Sequence, residues 1–189
     1  LGTPPLDTGP PQRVLFIAWQ YHPVPAGGAE HEARLQAEEL TRRGHRVTVL
    51  CPRARGSRSG AINGVFVRRL PIVDRHPFRT VTFLALLALY LLGRVRSYQL
   101  AHVHLAGVYT DPIVALGLLL RRPIYVKIAA GGPSGEVARL HRIARVTHYF
   151  GLRRAARVQA LSTEIAEELR SVGVPDAHIA HIPNGVDVD

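Results

Sequence analysis

The apolar run Val14-Leu15-Phe16-Ile17-Ala18-Trp19, the turn His22-Pro23-Val24-Pro25-Ala26-Gly27-Gly28-Ala29-Glu30 and the helical pattern from Ala33 to Leu40 decide how this chain folds. A strand that breaks into a Pro/Gly turn and then opens a helix leaves unpaired backbone N–H groups at the positive end of the helix dipole. Such a place suits an anion, most often a phosphate. Glycine there removes the Cβ that would hold a ligand away from the backbone. The turn is neither G-x-G-x-x-G nor G-x-x-x-x-G-K-[ST], and turns of this kind also serve plain packing. Val47 to Leu50 runs into Cys51-Pro52-Arg53, so no carboxylate closes the second strand to hold a cofactor ribose. A nicotinamide enzyme and a P-loop NTPase are both disfavoured.

Outward from that turn, short Val/Ile/Leu-rich runs alternate with helical stretches. Strands are expected at 13–18, 46–50, 63–69, 101–105, 124–129, 157–161 and 178–182. Helices are expected at 28–43, 78–96, 109–121, 136–154 (broken near Gly151) and 163–172, with loops at 53–60 and 130–135. Apolar strands with little polar alternation suit a parallel sheet buried on both faces. Their alternation with helices is the signature of right-handed βαβ units. The expectation is a doubly wound, mostly parallel α/β sheet of Rossmann-like type, with helices on both faces and ligands at the carboxyl ends of its strands. Residues 1–12 read as a flexible tail, 13–183 as the domain and 184–189 as the start of a linker.

The 189 residues hold one sizeable core. Net charge is +10, and 23 of the 24 basic residues are arginines, Lys127 being the single lysine. Such a balance suits acidic partners, or reflects no more than Arg-rich composition and solubility. The basic residues are scattered without interleaved aromatics, which argues against nucleic acid as a partner. Cys51 stands alone, so no intramolecular disulfide forms, which fits a reducing cytoplasm. No signal-peptide pattern opens the chain. The lack of any methionine, and of a closing element after Asp187-Val188-Asp189, leads us to expect a piece of something longer. Val81 to Leu92 is nearly all apolar but only twelve residues long, short of the ~20 that span a bilayer. It reads as a buried helix, or as one that docks on anionic membrane between Arg75, His76 and Arg79 at one end and Arg94 and Arg96 at the other.

Several residues carry chemistry. His102 and His104 alternate onto one face of a strand and could bind zinc, hydrogen-bond or transfer a proton. Further ligands are not persuasive, so no metal is expected, and a site role falls on His104 alone. Lys127 ends a strand before the loop Ala130-Gly131-Gly132-Pro133-Ser134-Gly135, where it could hold a phosphate or carboxylate, or snorkel at the surface. Ser162 caps a helix by default, and Asn184-Gly185 marks a turn.

Taken in order, Tyr21-His22-Pro23, Gly27-Gly28-Ala29-Glu30, Leu40 to Val47, Ala101-His102-Val103-His104, Ala160-Leu161-Ser162, Val172 to Pro175 and Ile182-Pro183-Asn184-Gly185-Val186-Asp187 resemble family 4 of the retaining GT-B glycosyltransferases over residues 13–189. The resemblance implies the N-terminal, acceptor-side half of an enzyme that moves a hexose from a nucleotide-diphosphate sugar to a glycan or lipid-linked acceptor. It places Gly27 and Gly28 over the donor diphosphate and His104 beside the transferred sugar. Asn184 to Asp187 then lead into a second domain that carries paired glutamates. Glu30, Lys127, Gly131, Ser162 and Asn184 become candidates for acceptor or phosphate contacts, with no metal or cofactor required. Lys127-Ile128-Ala129-Ala130 stands where the family often has Thr/Ser-x-His-Gly.

Overall fold

The computed structural model describes residues 9–23 and 27–185, with residues 142–144 described by backbone alone. Residues 1–8 of the expected tail, Val24 to Ala26 of the glycine turn and Val186 to Asp189 of the expected linker lie outside the described residues.

In chain order the elements are β1 (Arg13–Ile17), α1 (Gly28–Arg42), β2 (Arg46–Pro52), β3 (Gly60–Ile62), β4 (Val65–Leu70), α2 (Phe78–Gly93), β5 (Leu100–His104), α3 (Thr110–Leu119), β6 (Ile124–Ile128), α4 (Glu136–Thr147), α5 (Phe150–Arg154), β7 (Arg157–Ala160), α6 (Thr163–Ser171) and β8 (Ile179–His181). They form one eight-stranded sheet in the order β3-β4-β2-β1-β5-β6-β7-β8. Every pairing is parallel except the edge pair β3–β4. The sheet is the expected doubly wound one.

The chain steps one way across the sheet from β1 to β2, and the other way from β4 onward. Right-handed crossovers therefore put α1 on one face and the later helices on the other. On the face of the later helices, Leu15, Ile17, Val103, Val126, Ile128 and Val158 pack under Phe83, Leu87 and Leu91 of α2, Ile113 of α3 and Leu169 of α6. On the opposite face Val14, Phe16, Val47, Val49, Val65 and Val67 pack under Ala37 and Leu40 of α1.

Helix ends follow glycine. Gly44 (φ +88°) closes α1 with His45 N–H on Leu40 C=O, and Gly173 (φ +81°) closes α6 with Val174 N–H on Leu169 C=O. In both, the left-handed residue returns the chain onto the last turn. Arg121 (φ +54°) performs the same turn after α3 without being glycine.

Three boundaries differ from the sequence expectation. Asn63 (φ +48°) and Gly64 (φ +81°) do not start a strand. They make the two-residue turn of a β3–β4 hairpin, so β3 occupies the end of what reads as a loop. The break expected near Gly151 falls at His148 and Tyr149, both left-handed. Gly151 lies inside α5, where its N–H donates to Asp111 Oδ1 (2.6 Å) and a Cβ would stand 2.5 Å from that oxygen. That glycine permits close helix packing. Finally, α2 stops at Gly93, three residues before the expected end.

One side of α2 is the buried helix expected, and the other faces outward. Phe83, Leu87 and Leu91 are buried, while Phe78, Val81, Leu89 (66 % exposed) and Leu92 form an apolar stripe on the outer side. No helix among the described residues is long and apolar enough to cross a membrane.

Candidate active site

The switch in strand order lies between β1 and β5, and crevices outside the carboxyl ends of such strands are where ligands of open α/β sheets bind. Here the first turn of α1 meets the end of β5. Gly27 caps α1 without a side-chain hydrogen bond, and the first helical bond of the described residues runs from His31 N–H to Gly27 C=O. The N–H groups of Gly28, Ala29 and Glu30 lie ahead of that bond, at the positive end of the dipole. A Cβ on Gly28 would meet nothing within 4 Å, and one on Gly27 would meet only Glu30 Oε2 at 3.2 Å. Neither glycine is enforced by a left-handed backbone or by crowding.

His104 is buried, and its Nε2 lies 2.7 Å from Ala29 C=O. A carbonyl only accepts, so Nε2 carries the proton and Nδ1 is left as a buried acceptor without a partner among the described residues. Burial, then the neighbouring His102 and Lys127, lower the ring to about 3, against the raising effect of the Ala29 bond. His102 is lowered to about 4 by burial and by Lys127. His104 is thus a neutral ring that ties the end of β5 to the glycine turn. Among the described residues no group of three His, Cys, Asp or Glu could hold a metal ion.

Lys127 is fully enclosed, not a snorkelling surface residue. Its Nζ donates to Asn184 Oδ1 (2.8 Å) and lies 3.9 Å from Glu32 Oε1, which also accepts from Gln36 Nε2. Burial lowers the lysine from its ordinary value, and Glu32 pulls the other way. Lys127 and Asn184, picked out separately in the sequence, therefore meet.

Gly131 and Ser162 are placed differently. The loop after β6 donates Ala130 N–H to Glu136 Oε2 (2.8 Å) and Gly132 N–H to Glu168 Oε1. The anions at this second loop are the protein's own carboxylates, and Gly131 is packed close to Ile165, 3.0 Å from a notional Cβ. Ser162 Oγ accepts from Ile165 N–H as the cap of α6. Glu30 sits partly exposed in the first turn of α1.

Besides Glu136, two buried charges escape a sequence reading. Glu32 sits four residues beyond Gly28 on the inner side of α1, and Arg69 takes the inward parity of β4 after Val65 and Val67. Arg69 spends its guanidinium on Arg58 C=O (3.1 Å), His22 C=O (2.5 Å), Tyr21 C=O (3.5 Å) and Cys51 Sγ (3.5 Å). Burial pushes the Cys51 thiol up to about 11, with Arg69 opposing. An arginine at an inward strand position is the signal that could have found it.

This geometry sits within a recognisable family. The model of the glycosyl transferase 4-like domain matches residues 27–185. The chain belongs to that family. Its fold is shared with Anabaena Alr3699/HepE, solved in complex with UDP-glucose, at a TM-score of 0.65 and 17 % identity over 93 % of this chain and 44 % of that one. It is also similar to WaaG, a glycosyltransferase involved in lipopolysaccharide biosynthesis (TM-score 0.61, 17 % identity, 93 % and 46 % covered). A third similar structure is MurG of Acinetobacter baumannii (TM-score 0.56, 14 % identity, 94 % and 46 % covered). The chain spans a little under half the length of these structures, and it is the N-terminal, Rossmann-like half of the GT-B glycosyltransferase fold. Comparison with curated protein sequences gives no match.

Proposed function

We propose that this domain is the acceptor-side half of a transferase that moves a sugar from a nucleotide-diphosphate donor to an acceptor with retention of configuration. The observation that carries this reading is the α1 N-terminus. Its glycines need neither their backbone conformation nor their small size for packing, and Gly28 faces open space. A diphosphate oxygen approaching Gly28 N–H would meet the dipole end directly. As the glycosidic bond of the donor breaks on the face where the acceptor attacks, that N–H steadies the charge growing on the leaving diphosphate. His104 acts as a positioning residue, holding Ala29 and hence the turn through a neutral Nε2–H. Lys127 supplies positive charge beneath the same crevice. In this reading no metal or cofactor is needed, and the work is done at the cytoplasmic side of the cell.

The test uses the transferase that contains this chain, assayed against a panel of nucleotide sugars. Gly28→Val keeps the N–H but puts a side chain where the diphosphate would approach it, and is expected to cut turnover about 100-fold or more, with the folded domain retained by circular dichroism. Wild-type turnover in Gly28→Val would remove the turn from the donor site. The 189-residue chain alone is expected to fold and to show no transfer.

The outer stripe of α2 supports peripheral attachment to anionic membrane as part of the same function, because arginines flank it at both ends. Co-sedimentation of the chain with phosphatidylglycerol vesicles is expected to fall several-fold in Val81→Glu/Leu89→Glu, two exposed positions whose change leaves the core intact. Unchanged sedimentation would remove the membrane from this account.

A further inference from the structure

At the carboxyl ends of β1, β2 and β4, away from the His104 crevice, the chain forms a small cavity of about 120 Å³ whose walls include Trp19, Arg53, Arg55, Arg69, Asp74 and Arg79. Four arginines and one aspartate line it. Their partners show how much of that charge is satisfied. Arg69 is buried and bonded only to carbonyls and a thiol, with no carboxylate partner among the described residues. Arg53 and Arg55 make no side-chain hydrogen bond or ion pair among the described residues. Arg79 lies over the Trp19 ring, 4.9 Å from its centroid, and pairs with Asp74 at 3.4 Å. Asp74 is itself 81 % exposed. A buried cation with no counter-charge is costly unless an anion completes it, and arginine forks suit the oxygens of a phosphate.

We infer that this cavity binds a phosphate or diphosphate group carried by the acceptor. The inference rests on the transferase reading above, and it narrows the acceptor to a phosphorylated one. The first turn of α2 carries both Arg79 of the cavity and Phe78 of the outer apolar stripe. An acceptor whose phosphate is attached to a lipid chain would therefore find charge and apolar surface adjacent. Arg69 also holds Tyr21 C=O and His22 C=O, the residues that lead into the glycine turn. Arg69 thus ties the cavity to the segment that precedes the glycine turn.

The test is calorimetric titration of the 189-residue chain with inorganic pyrophosphate and with farnesyl diphosphate. It compares wild type with Arg53→Gln/Arg55→Gln and with Arg13→Gln/Arg46→Gln. The last pair removes the same charge at the exposed opposite ends of β1 and β2. Both ligands are expected to bind at least tenfold more weakly to the cavity variant and within twofold of wild type to the control, with thermal midpoints confirming that both fold. A tenfold preference for farnesyl diphosphate assigns a lipid-linked acceptor, and equal affinity assigns a water-soluble phosphorylated one. No binding by wild type, or equal losses in both variants, overturns the cavity as a site. In the full transferase, Arg53→Gln/Arg55→Gln is expected to raise the acceptor KM and leave the donor KM unchanged. A raised donor KM instead overturns the acceptor assignment and leaves the transferase reading standing. Absence of any transfer by wild type defeats that reading without touching the calorimetric result.

Discussion

The two faces of the sheet are covered unequally. One carries α2 to α6 along its length, and the other, among the described residues, carries α1 alone, over the stretch from β4 to β5. Beyond α1, among the described residues, the second face opens into a groove of about 510 Å³ lined by Phe16, Leu100, His102, Tyr125, Arg157 and Gln159. The difference follows from topology and not from composition. One crossover runs leftward from β1, and every crossover after β4 runs rightward, so handedness alone assigns the helices to their faces. Gly27, Gly28 and His104 lie where the two regimes meet, because the crossovers that leave β1 and β5 go to opposite faces and open a crevice between them.

Truncating the crowded face should have the largest effect. Phe83 is fully buried and meets Trp19 and Tyr109 edge-on. Phe83→Ala is expected to cost about 3–5 kcal/mol in urea unfolding. On the open face, Leu100→Ala removes a half-buried side chain and should cost about 1 kcal/mol. Equal losses would show that the two faces are packed alike.

Acid should attack the open face, because its two histidines are held neutral. The folded state keeps His102 and His104 deprotonated down to about 4 and 3, whereas the unfolded chain takes up protons near pH 6.5. The unfolded state therefore binds more protons between these values, and stability falls as pH falls through that window. A loss of order a few kcal/mol between pH 7 and pH 4 is expected. It should be smaller in His104→Gln. A pH-independent unfolding midpoint would show that the rings are not enclosed in solution.

Two smaller changes sharpen the account of the crowded face. Gly151→Ala would press a methyl onto Asp111 and should cost about 1–3 kcal/mol by thermal melting. Arg121→Gly relieves a left-handed residue at the close of α3 and should stabilise by about 1 kcal/mol.

The alternation of strands and helices was legible in the sequence because β1, β2, β5, β6 and β7 are short apolar runs bounded by glycine, proline or charge. The hairpin at Asn63-Gly64 was missed despite its turn chemistry, because the preceding Gly/Ser/Arg-rich stretch hid the three residues of β3 and left the turn reading as a strand start. Within the site, Gly27, Gly28, His104, Lys127 and Asn184 could be named from their positions at strand ends. What could not be read was their pairing. Lys127 and Asn184 lie 57 residues apart, and only the parallel register of β6, β7 and β8 brings them together. Glu32 and Arg69 were invisible for the opposite reason, since a charged residue in a charged chain reads as surface until parity or helical phase is followed residue by residue.

The Lys127–Asn184 contact has a mechanical side. One ammonium grips the chain as it leaves β8 and also faces a carboxylate on the second turn of α1. Swinging Asn184 away would strip an enclosed cation of its nearest partner, so the departing strand end has a preferred angle, like a hinge with a detent. Force applied there reaches the helix that begins at Gly28 through a single shared charge.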